Sequence, residues 1–94
     1  MRERWFGATG RRVPEIAAEG DPAVPVSDAL VLDGVGDVER LREAHARGLP
    51  VVVRAASPEE IVEALARPEV ASVLVPADRL ELLELDLPAL TYER

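Results

Sequence analysis

Three consecutive β-branched residues, Val51-Val52-Val53, are followed almost at once by Ser57-Pro58-Glu59-Glu60, and this pairing limits the fold more than any other stretch. A continuous valine run suits a strand buried on both faces, as in a parallel sheet, and not a half-exposed strand with strict alternation. Ser57 is placed to accept a hydrogen bond from first-turn amides. Pro58 suits the first helical position, where no N–H is needed, and Glu60 completes a capping box. Ile61, Val62, Leu65 and Ala66 then recur at helical spacing, and Pro68 closes the unit. Leu49–Leu65 therefore reads as a buried strand feeding a helix.

The same pattern appears on both sides. Ala29–Leu32 reads as a core strand, with a turn at Gly34-Val35-Gly36. Asp37–Arg47 reads as a helix, with Val38, Leu41, Ala44 and His45 on or near one face. Gly48 fits the position after that helix, and Pro50 follows it. Leu49–Ala55 and Ala71–Val75 are the second and third strands, and Pro58–Arg67 is the second helix. Asp78, with Glu81 three residues on, predicts a cap on a short helix running to about Leu85. Ala89–Tyr92 reads as a last strand. Upstream, Gly7–Gly10 is a turn signal between Glu3–Phe6 and Arg12–Ile16, which predicts a hairpin; the rival reading is a short helix over Pro14–Glu19. Gly20–Ser27, with Pro22 and Pro25, reads as a linker. The expected fold is α/β: one domain over residues 1–94, with an N-terminal hairpin-like extension and linker (1–27). A small, mainly parallel sheet of βα units (28–94) follows.

The topology raises a covering problem. Crossovers between parallel strands are right-handed, so strands in sequential order place every helix on one face. The opposite face then exposes Val and Leu. The N-terminal hairpin, a partner subunit, or helices shifted by a change in strand order must cover it. This motivates an expectation of self-association, most simply as a homodimer.

Composition excludes several classes. Twelve Glu and six Asp against eleven Arg give a net charge of −7. Phosphate backbones and anionic lipid are repelled on average, so neither nucleic acid nor membrane is an expected partner. With no Cys, disulfides, thiol catalysis and zinc–thiolate sites are out. Lys, Asn and Gln are also missing, a bias that fits heat adaptation first and a GC-rich genome as the alternative. No apolar run is long enough to span a bilayer, and Arg2-Glu3-Arg4 leads into Trp-Phe-Gly, not an apolar signal core. The expected location is the cytoplasm.

No motif specifies a reaction or a cofactor. The candidate ligand-binding residues are Asp33, Arg54 and Asp78, which stand at or just past strand carboxyl ends, where open α/β sheets bind ligands. Asp33-Gly34-Val35-Gly36-Asp37 has the first two glycines of a dinucleotide fingerprint. Glu39 replaces the third, and the acids would repel pyrophosphate. Asp33, Asp37 and Asp78 have the oxygen chemistry for Mg²⁺; as helix caps and turn residues they need no ligand. Arg54 interrupts an apolar run, which suits either an anionic ligand or an ion pair with Asp33 or Asp78. His45, the only histidine, has no nucleophile or carboxylate placed beside it by sequence and reads as flanking the core.

Ala29–Asp33, Val51–Ala56 and Ala71–Ala77 together resemble the later half of a response-regulator receiver domain. That resemblance implies a phosphoacceptor at Asp33. It also requires Ser or Thr at the positions of Ala55-Ala56 and Lys at about Pro76, and neither stands there. The likeness extends no further than parallel βα architecture. The first expectation is thus a self-associating, non-enzymatic interaction module. The second is a small ligand binder or Mg²⁺-dependent enzyme using the strand ends.

Overall fold

In the computed structural model, which describes residues 3–84, the valine triplet lies where a doubly walled strand requires. Val51, Val52 and Val53 are 0, 0 and 1% exposed. They form β5 (Val51–Arg54), with β4 (Leu30–Leu32) on one side and β6 (Val70–Val75) on the other. The remaining elements are β1 (Glu3–Trp5), β2 (Arg12–Pro14), β3 (Ile16–Ala18), α1 (Val38–Ala46) and α2 (Pro58–Leu65). Short 3₁₀ turns occupy Val26–Asp28 and Leu80–Glu84. The main sheet is wholly parallel, in the order β3-β6-β5-β4, and β1 and β2 form a separate antiparallel hairpin.

Local signals set the helix ends. Asp37 caps α1 through Oδ1, which accepts from the Arg40 amide at 3.1 Å. Ser57 Oγ caps α2, accepting from the Glu60 amide at 3.2 Å and donating to Glu60 Oε1 at 3.0 Å. Gly48 follows α1 at φ +71°, a left-handed conformation that costs other residues. Leu41 and Ala44 of α1 are buried with Ile61, Ala64 and Leu65 of α2. They cover one face of the sheet, contributed by Leu32, Val51, Val53, Val70, Val73 and Val75.

The other face is closed within the chain. Phe6 and Val13 of the hairpin and Val24 of the β3–β4 connection pack on Ala17, Val52, Ala71 and Leu74. The hairpin is thus one of the three covers considered from the sequence, and among the described residues it buries the second face of the inner strands, while Leu30 and Val31 of the edge strand β4 stay partly exposed. A register shift in β6 opposite Val51/Val52 adapts the sheet to it. The bulge interrupts alternation, and Ser72 Oγ donates to the Pro14 carbonyl at 2.8 Å, anchoring the end of β2.

Several expectations change. Ile16 does not belong to the hairpin. It opens β3, which pairs in parallel with β6 and adds a fourth strand where a hairpin end or short helix was expected. Glu15, between β2 and β3, bends the chain from one sheet to the other. Asp78 does not cap a helix: the helical turn begins at Leu80, and the Arg79 and Leu82 amides bond to the Pro76 and Arg79 carbonyls. His45 is exposed and does not flank the core. The strand read over Ala89–Tyr92, like the end of the helix expected to reach Leu85, lies outside the described residues.

Candidate functional site

The carboxyl ends of the parallel strands bring together two of the three expected residues. Arg54 ends β5 and, following Val53 in alternation, emerges on the hairpin face. Its Nε donates to Glu19 Oε1 at 2.5 Å, and its Nη1 lies 3.6 Å from Asp33 Oδ1. Glu19 directly follows β3 and Asp33 directly follows β4, so Arg54 reaches from the inner strand to both margins of the sheet. The Glu19 hydrogen bond and charge, then Asp33, raise the guanidinium pKa above its already high ordinary value. Asp78 makes no ion pair with Arg54; it is exposed in the turn after β6, and its sequence neighbour Arg79 is bound to Glu81.

The cluster is a cross-sheet tie with its cation held by two carboxylates. No group of three or more His, Cys, Asp or Glu able to hold a metal occurs among the described residues. None of three surface hollows among them is lined by Asp33, Arg54 or Asp78.

Those hollows lie elsewhere, and two meet at Trp5. Trp5 on β1 is 59% exposed, the most exposed of the large apolar side chains among the described residues. The Arg12 guanidinium sits over its ring at 4.8 Å from the centroid, a cation–π contact that restrains both side chains. On one side is a hollow of about 350 Å³ walled by His45, Leu49, Pro68 and Glu69. On the other is one of about 540 Å³ walled by Arg12, Leu65, Ala66 and Pro68. Leu49 adds 39% exposure beside the first. The corner therefore presents a tryptophan ridge between two shallow depressions, at the amino ends of β5 and β6.

Buried contacts hold this ridge in place. Arg4, next to Trp5, turns inward and donates to the carbonyls of Leu65 (2.6 Å), Val70 (3.0 Å) and Arg67 (3.4 Å). It thereby caps the carboxyl end of α2. Its Nε also donates to Glu15 Oε1 at 3.2 Å. At the hairpin turn, Ala8 N–H donates to the Gly48 carbonyl at 3.0 Å. A Cβ on Gly7 would lie 2.6 Å from that carbonyl oxygen, and one on Gly48 would lie 2.8 Å from Ala8 Cβ. Only glycine fits on either side of the contact. The sequence signal was the aromatic-turn pair itself, Trp-Phe-Gly; what it did not disclose was that Phe6 turns in and Trp5 out.

Comparison of the chain with known protein families, with characterised proteins and with solved structures finds no match. The fold and the corner define a small α/β domain with a parallel four-stranded sheet and an N-terminal hairpin cover. No helix among the described residues is long and apolar enough to cross a membrane.

Proposed function

We propose that this chain is a non-enzymatic interaction module that works by associating with a second copy of itself, as a homodimer. The observation that carries the reading is Trp5: a large apolar side chain left mostly in water, yet fixed by the Arg12 contact and by the hairpin anchored through Arg4. Interfaces draw their affinity from a few rigid aromatic and arginine anchors set in a rim that excludes water. The cluster at the strand carboxyl ends has no comparable feature, because its arginine is already engaged by Glu19 and Asp33.

Trp5 is the only tryptophan, so its fluorescence reports on this corner alone. On concentration from nanomolar to high micromolar, the emission shifts to shorter wavelength as the indole leaves water. Light scattering rises over the same range from the 10.2 kDa monomer to twice that mass. A constant monomer mass with unchanged emission overturns the proposal.

A further inference from the structure

We infer that the two copies meet through two equivalent contacts, each joining the Trp5–Arg12 corner of one copy to the acidic face of α2 on the other. This rests on the self-association proposed above and says which surfaces touch.

The argument begins with how charge is divided along the chain. Residues 1–14 hold Arg2, Arg4, Arg11 and Arg12 against Glu3, a charge of +3, while the remainder carries −10. A two-fold axis through Trp5 would set Arg11 and Arg12 against their own copies, and like charges facing across an interface are costly. A contact between the hairpin corner and the acidic body is attractive instead. Unpaired charges of opposite sign stand on the hairpin and on α2. Of the described arginines outside α1, Arg11 and Arg12 alone have no carboxylate partner among the described residues. On α2, Glu59, Glu60 and Glu63 are exposed and the helix has no basic residue. Glu60 is engaged by Ser57, whereas Glu59 and Glu63 have neither ion pair nor hydrogen bond among the described residues.

The corner and the helix also lie on one flank. The hollow of about 540 Å³ beside Trp5 and Arg12 is walled on its far side by Leu65 and Ala66, the carboxyl end of α2. Its acids run away from the corner along the same helix. A two-fold axis between them, with the two α2 helices antiparallel, brings each corner onto the other helix's first turns. In such an isologous interface residue i meets j and j meets i. Trp5 then leaves water while Arg11 and Arg12 gain the partners they lack.

Charge exchange tests this. One variant carries Arg11→Glu and Arg12→Glu; the other carries Glu59→Arg and Glu63→Arg. All four positions are exposed, and circular dichroism with thermal melting verifies that each variant keeps the fold. In sedimentation velocity at low salt, each variant alone associates about tenfold or more weakly than wild type, because both of its contacts become repulsive. An equimolar mixture regains association to within about threefold of wild type, because both contacts of the mixed dimer are again opposite in sign. If wild type dimerises and the mixture stays as weak as its components, the assignment of surfaces is overturned and self-association stands. If wild type is monomeric throughout, the self-association reading itself falls.

Discussion

Arg4 shows how much one side chain near the start of the chain holds together. It neutralises Glu15, which is 6% exposed, and satisfies three carbonyls at the α2–β6 corner. Arg4→Met leaves the Glu15 carboxylate buried without its cation, a change expected to cost about 3–5 kcal/mol. Arg4→Met with Glu15→Gln is expected to cost less than Arg4→Met alone, since the stranded charge is gone. Urea denaturation of the two variants checks the order; a double variant less stable than the single one contradicts it. Glu81 offers a test at the surface. The Arg79 hydrogen bond, then a backbone hydrogen bond, hold its carboxyl below the ordinary value of 4.5. A lowered folded-state pKa contributes stability above the unfolded value and loses it as pH falls through the folded one. The contribution therefore fades below pH 4.5. An NMR titration is expected to place the Glu81 midpoint below the ordinary glutamate range and to raise it toward that range in Arg79→Ala, where the backbone hydrogen bond remains. The Arg79–Glu81 pair is local, two residues apart; the role of Arg4 is not written in local sequence, because Arg4 and Glu15 find each other only once the hairpin has folded.

At the scale of elements, the readable parts were those with local causes. The triplet Val51–Val53, the caps Asp37 and Ser57, and Gly48 each act within a few residues, and each sits where the pattern put it. β3 was missed because Ile16-Ala17-Ala18 has weak strand propensity and is made a strand by its partner β6. Asp78 was misread because an acid three residues before Glu81 satisfies the capping pattern whether or not a helix follows. Of the candidate site, Arg54 with Asp33 was legible as an ion pair; Glu19, its nearer partner, came from a segment read as a helix end or linker. The contact between the hairpin turn and the α1–β5 turn gives a sharp element-scale prediction. Gly48→Ala meets both a left-handed φ of +71° and Ala8 Cβ at 2.8 Å. It is expected to destabilise by about 1–3 kcal/mol and to raise amide exchange in the hairpin more than in β5. Equal exchange in both elements would contradict the coupling.

For the whole molecule, the central point is how ninety-four residues enclose a parallel sheet with only two α-helices among those described. The helices cover one face, and the hairpin with the β3–β4 connection covers the other. The covering problem read from the sequence was real, but its solution is internal. What is left for a partner is an edge of the hairpin, not a face of the inner strands. A small, rigid aromatic surface of this kind predicts association that is reversible, salt-sensitive and dependent on Trp5. Sedimentation equilibrium of wild type beside Trp5→Ala tests this most directly, since Trp5 is already in water and its removal spares the core. The account predicts a monomer–dimer equilibrium for wild type and a monomer for Trp5→Ala at the same concentrations and with the same circular dichroism. Equal association of the two proteins, or a wild type that never exceeds the monomer mass, would contradict it.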